Sequence, residues 1–232
     1  MLPVLARRPL VLAYHGVDTV DDDADPRRLV VSPRHLEEQV RLLLRMRFRV
    51  VTAGELADGR RGRVAVLTFD DGWLNWLTVA LPLLQRLGVR ATFFVCPGWL
   101  GGQHPGLGGP AGRLLGEDGV RALHEAGMEI GSHSLSHPDL RRLDDDALRA
   151  ELEDSKSAIE RLTGSDCRTF AYPYGFWDDR VASAAGEAGY ALAFGWLPGR
   201  WRPLAAPRLP GPPRHGALRL GLKLLGLRRP GR

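Results

Sequence analysis

Cysteine is almost absent: only Cys96 and Cys167 occur in 232 residues. They form no closely spaced metal-binding pair and no disulfide framework, so neither a thiolate metal site nor a cysteine-stapled fold is expected. Free thiols are the expected state, with a pairing across the fold left open. Long apolar runs are also missing. No stretch approaches the roughly 20 apolar residues that span a bilayer. The first apolar segment is broken by Pro3 and by Arg7-Arg8-Pro9, so it lacks a continuous signal-peptide core. The expectation is therefore a cytoplasmic protein. A nucleic-acid stripe is lacking as well: the formal charge is +5, but the basic residues are spread along the chain with acids beside them. No nucleic-acid partner is expected.

What is present suits a globular enzyme-sized domain. The apolar fraction is 44% and the charged fraction 25%, as in soluble proteins, and the length is enough to bury a core without staples. Short apolar runs at residues 10–14, 47–51, 64–69, 91–95, 128–130, 169–172 and 191–194 read as strands. Helical patterns lie between them. Ser32-Pro33 is a capped start, after which Leu36, Val40, Leu43 and Leu44 share a face. A helix over 74–87 is expected to bend or start late at Pro82 and to end at Gly88. Further helices are expected over 117–126, 144–162 and 178–188. Asp144, Asp145 and Asp146 sit where a helix dipole favours negative charge. Alternating strand and helix gives a parallel sheet with helices outside. About seven such strands in one α/β domain favour a distorted (β/α) barrel over residues 1–210, followed by a basic tail over 211–232.

In such a barrel the loops after the strands meet at one face. The residues there are His15, Asp70-Asp71-Gly72, a glycine-rich loop over 96–116, His133 with His137, and Pro173-Tyr174-Gly175. Two adjacent acids are an ordinary turn or cap by themselves. Here a strongly apolar strand carries them to a rim, and neighbouring residues point in different directions. One carboxylate can bind a metal while the other addresses a water. His133 and His137 are four apart, but Gly131, Ser132, Ser134, Ser136 and Pro138 argue for a loop, so the rings would converge through a turn. Two histidines with a carboxylate suit a divalent metal, Zn2+ first and Co2+ or Ni2+ next.

Together, Thr68-Phe69-Asp70-Asp71-Gly72, His133-Ser134-Leu135-Ser136-His137 and Phe170-Ala171-Tyr172-Pro173-Tyr174-Gly175 resemble the polysaccharide deacetylase family, carbohydrate esterase family 4. The likeness covers roughly residues 10–210. It implies that Asp71, His133 and His137 ligate the metal, that Asp70 is the general base, and that Tyr174 offers its backbone N–H to an oxyanion beside Pro173. The implied reaction removes the N-acetyl group of an amino sugar as acetate. A hydrolase of another C–N amide, or a carbohydrate-binding barrel with impaired catalysis, are the alternatives.

Two departures stand out. Ala171 occupies a position where many members carry an arginine that holds the base; Arg168 is the nearby conjectural substitute. The usual closing Leu-x-His is missing from 206–210. His15, in Leu12-Ala13-Tyr14-His15-Gly16, is the expected replacement acid, as in the branch acting on poly-N-acetylglucosamine, where the barrel looks circularly permuted. His215 is the weaker candidate. His104 is expected to be exposed, and His35 and His124 to be structural. Of the tryptophans, Trp73 and Trp99 are best placed to line a substrate site. In the tail, Leu218, Leu222 and Leu225 fall on one helical face and Leu220, Leu224 and Leu227 on another. Such a helix either packs on the barrel or touches an anionic membrane surface. In the second case the protein would sit at the inner membrane face and reach a lipid-linked sugar.

Overall fold

The structure, a computed structural model, describes residues 9–21, 23–196, 200–211 and 216–224. In chain order the elements are β1 (Leu10–Tyr14), β2 (Gly16–Val17), β3 (Val30–Val31), α1 (Pro33–Arg45), β4 (Arg49–Val51), α2 (Ala53–Ala57) and β5 (Val64–Asp70). There follow α3 (Leu81–Arg86), β6 (Thr92–Val95), α4 (Glu117–Glu125), β7 (Glu129–Ser132), α5 (Asp145–Thr163), β8 (Thr169–Ala171), α6 (Asp179–Glu187), β9 (Leu192–Trp196), β10 (Ala206–Pro210) and α7 (Ala217–Leu224).

Seven parallel strands close into a ring in the order β1-β10-β9-β8-β7-β6-β5, with β1 pairing back onto β5. The barrel expected from the alternation is thus the fold. The strand that closes it is the first in the chain: β1 lies between β10 (Leu12 beside Leu209) and β5 (Leu12 beside Leu67). β4 and β6 share the other edge of β5 in tandem, β4 along Val64–Val66 and β6 along Thr68–Asp70.

Strand period sorts the side chains into two cores. Leu10, Leu12, Tyr14, Ala65, Leu67 and Phe69 face the helices, against residues such as Leu36, Val40 and Leu152. Val11, Val64, Val66, Phe94, Phe194 and Ala206 fill the barrel interior. By the same alternation Thr68 and Asp70 belong to the interior face of β5. The opposite end of the barrel is closed by α2: Gly54 N–H donates to Glu129 at 2.9 Å, and the Thr92 and Thr169 hydroxyls donate to the same carboxylate. Polar chemistry is therefore left to the end where the strands finish.

Local expectations fared unevenly. Ser32 accepts from His35 N–H and Pro33 opens α1, while Asp144 caps α5 and Gly164 ends it in the left-handed conformation. The expected helix over 74–87 is divided: a π-turn covers Trp76–Ala80, and α3 starts at Leu81. Pro82 then falls in the first turn of α3, where its missing N–H costs no bond. The unexpected ring strand is β10. Pro207 and Pro210 demote this run as a strand by sequence rules, yet Pro207 pairs beside Gly195.

In the tail, Leu220 of α7 is fully buried in the core that includes Leu36 and Val40, while Leu218 is 78% exposed. The helix packs on α1, which takes up Leu220; the other tail leucines apart from Leu218 are outside the described side chains. His215 and residues 225–232 lie outside the described residues. No helix among the described residues is long and apolar enough to cross a membrane.

Cys96 and Cys167 are both free and buried. Burial raises both thiols, Cys167 to about 12. Neither should react with a chromogenic disulfide reagent at pH 8 in the native protein, and both should titrate in denaturant; rapid native labelling would contradict the packing.

Candidate active site

β5 delivers two adjacent carboxylates and then reverses. Asp71 has φ +88° and Gly72 φ +94°. This conformation is free for glycine and strained for aspartate. Asp71 is held in it by donating its N–H to the Phe94 carbonyl at 3.1 Å. The reversal separates the two side chains, and each finds different partners.

The Asp71 partners come from the loop after β7. His133 N–H donates to the Val95 carbonyl at 2.9 Å. Ser134 and His137 both adopt positive φ, so the chain turns tightly and brings the two imidazoles to 4.8 Å between centroids. Glu151 on α5 clamps this turn, accepting from the N–H groups of Leu135 and Ser136 at 2.8 and 2.9 Å and from the Ser136 hydroxyl. Gly98 is required beside it, since a Cβ there would stand 2.7 Å from the Leu135 carbonyl oxygen.

His133 Nδ1 lies 2.6 Å from the Ala171 carbonyl oxygen. It can only donate there, which leaves Nε2, directed at Asp71, as the nitrogen that can ligate once it is deprotonated. His133 Nε2 and His137 Nε2 stand 3.4 and 3.6 Å from Asp71 Oδ1. The ligand atoms of Asp71, His133 and His137 all lie within 4.8 Å of one another. Two imidazole nitrogens and a buried carboxylate oxygen, converging with their lone pairs, fit a divalent cation. Electrostatics fit too. Burial and then the His133 charge push His137 down to about 4, so it is a neutral ligand at pH 7. Burial lowers His133, but Asp70 and Asp71 outweigh it and raise the group; a bound cation displaces that proton. Burial works against Asp71 ionising, yet bonds from His104 and His133 hold its carboxyl well below the usual range.

Asp70 turns into the barrel. Its Oδ1 accepts from Arg208 Nη1 at 2.7 Å, and the same nitrogen lies 3.1 Å from Thr68 Oγ1, which donates to the Leu12 carbonyl. Arg208 is fully buried. Its guanidinium lies 5.1 Å from the Trp196 ring and 5.8 and 6.0 Å from Phe94 and Phe194, a cation–π surround. Burial would raise the Asp70 carboxyl; the Arg208 charge is the first of the effects that hold it below the ordinary value. Arg208 thus supplies the cation absent at Ala171. The conjectured substitute Arg168 is excluded, because it pairs with Asp58 at 2.7 Å and is 44% exposed. The sequence signal for Arg208 is a lone arginine between Pro207 and Leu209, in the 206–210 run that lacks the closing histidine.

The remaining candidates separate clearly. Tyr14 sits beside Phe69 in the β1–β5 register, which brings His15 next to Asp70, and its charge acts on both carboxylates. Pro173 is buried, and Tyr174 follows it at φ +59°, ψ +3°, with its ring 4.6 Å from His137. Tyr174 and Phe176 are exposed at this rim; Phe176, under the Arg141 guanidinium at 4.3 Å, was not anticipated. Trp99 is half-buried, 4.8 Å from the His137 ring. Trp73 is a correction: it is fully buried and stacked on His104 at 4.4 Å, so it has no face open to a substrate. His104 is another. Expected to be exposed, it is 8% exposed and lies 3.1 Å from Asp71 Oδ2.

Glu151→Ala removes three bonds to the histidine turn and should cost about 1–3 kcal/mol in urea unfolding, with weaker binding of an added divalent cation. A change within about 0.5 kcal/mol would show that the turn holds without the clamp.

A sequence model of the polysaccharide deacetylase family matches residues 57–193. Among curated proteins, YxkH of Bacillus subtilis is 25% identical over 195 residues, covering 82% of this chain and 64% of that protein. The chitooligosaccharide deacetylase of a Bradyrhizobium strain is 32% identical over 135 residues, covering 56% of this chain and 54% of its own. The chain therefore spans about half to two thirds of the length of these relatives. Among solved structures, the Streptococcus pyogenes deacetylase PplD in complex with acetate superposes with a TM-score of 0.81, covering 94% of this chain and 98% of that one at 21% identity. That last likeness is one of fold.

Proposed function

Since the chain belongs to the polysaccharide deacetylase family, we propose that it hydrolyses the N-acetyl group of an N-acetylated amino sugar, releasing acetate and leaving the free amine. The observation that carries this reading is the Asp71–His133–His137 cluster with a second, separately paired carboxylate, Asp70, at the adjacent position.

Asp71, His133 and His137 would hold a divalent cation, with Zn2+ the best match to the donor set. When bound, it supplies Lewis acidity to the acetamide carbonyl and to a water. The chain's own residues do the rest. Asp70, kept ionised by Arg208, accepts the proton of the attacking water. The Tyr174 N–H, on the turn after Pro173, serves the oxyanion. His15, across from Asp70, gives a proton to the departing nitrogen as the C–N bond breaks. Amide and water thus become acetate and amine.

Closure by β1 supports the comparison with the permuted branch that acts on poly-N-acetylglucosamine, since it lets a histidine from the first strand work where a last-strand histidine otherwise would. The exposed Tyr174 ring at the rim offers apolar surface to a pyranose, which favours a glycan over a small amide.

The test is acetate release by the zinc-loaded protein from N-acetylglucosamine oligomers against non-sugar acetamides. Oligomers should be preferred, and Asp70→Asn should cost about 10²–10⁴-fold in kcat. His15→Ala should also lower kcat; full activity in that variant would remove His15 as the acid. Preference for the non-sugar amides would favour a different amidohydrolase, and bound metal without turnover a binding barrel.

A further inference from the structure

We propose that His104 is a positioning residue of the metal centre: it donates Nε2–H to Asp71 Oδ2 and so leaves Oδ1 as the oxygen turned to the two histidines. The proposal rests on the reading of Asp71, His133 and His137 as a metal site.

The glycine-rich loop that carries His104 is a pinned structure. Gly101 N–H donates to Leu115, Leu114 to Gly102, and His104 to Gly112, at 2.8, 3.1 and 2.8 Å, so residues 101–104 run antiparallel to 112–115. The returning strand is tied to the segment after Asp71 by Leu115 N–H to Gly72 at 2.7 Å and Leu74 N–H to Arg113 at 2.8 Å. Gly112 makes this possible, since a Cβ there would overlap the Leu107 carbonyl oxygen at 1.9 Å.

The ring is fixed as firmly as the backbone. It stacks on Trp73 with 24° between planes and meets the edge of Trp99 at 5.7 Å. Gly106 N–H donates to Nδ1 at 2.9 Å. Nδ1 is therefore the acceptor nitrogen and Nε2 carries the hydrogen, 3.1 Å from Asp71 Oδ2. With its hydrogen committed, Nε2 acts as a donor to the ligand and not as a fourth ligand. The His104 bond fixes the rotation of the Asp71 carboxylate by holding Oδ2, so that Oδ1 is the oxygen 3.4 and 3.6 Å from His133 and His137. Bonds of this kind to ligating carboxylates typically govern metal affinity by about 10–100-fold.

Zinc affinity of the metal-free protein, by competition with a chromogenic chelator, tests this. His104→Phe keeps a ring between the tryptophans and removes the donor. It should weaken zinc binding about 10–100-fold, read at a temperature well below the apo Tm of the variant, which the loss of two buried bonds lowers, so that unfolding does not enter the comparison. His104→Gln retains an N–H donor and should recover most of the loss. Wild-type affinity in His104→Phe would overturn the proposal while leaving the metal site standing, as would equal losses in the Phe and Gln variants. Absence of zinc binding by the wild type would overturn the metal-site reading and this inference together.

Discussion

A carboxylate at the end of a fully buried strand needs a cation, and the 2.7 Å contact between Asp70 and Arg208 supplies it. Desolvating each ion costs several kcal/mol unless the pair is tight and other bonds are satisfied. Arg208 Nη1 also reaches Thr68, and the rings of Trp196, Phe94 and Phe194 surround the guanidinium, while its Nε and Nη2 have no hydrogen-bond partner among the described residues, so the Asp70 pair carries most of the compensation. The pair joins the last strand of the ring to β5, across the position of β1. The cation that favours ionised Asp70 therefore comes from β10, the strand that pairs with β1 in the ring.

The same strand end makes Asp71 a different group. The backbone reversal points it at His133 and His137, and three surrounding elements restrain it: the β6 carbonyl of Phe94, the histidine turn clamped by Glu151, and the glycine-rich loop through His104. Two chemically identical neighbours thus acquire separate duties from their partners. Positive φ at Asp71, Ser134, His137 and Tyr174 concentrates backbone strain on the residues that meet there, as is common at sites where geometry takes precedence over local comfort.

How much of this could be read beforehand followed the range of the interactions. The barrel was legible because the six ring strands other than β10 and most helices announce themselves within a dozen residues. Asp70, Asp71, His133 and His137 were legible because their types and spacing are local. Arg208 was not: its partner is 138 residues away, and Pro207 and Pro210 disguise its strand. His104 sits in a loop whose shape is set by backbone pairing, which leaves no side-chain periodicity to detect. Trp73 misled for the opposite reason. An aromatic beside a site motif looks like a sugar platform, whereas here it is the floor on which His104 rests.

Chemical rescue of Arg208→Ala is the most direct measurement of the pairing at the centre of the site. Without its cation Asp70 should lose most of its activity in acetate release, about 10²-fold or more. Millimolar guanidinium should restore part of it, and an equal concentration of sodium ion should not. Wild-type turnover by Arg208→Ala in the absence of guanidinium would contradict the dependence of the base on the buried pair.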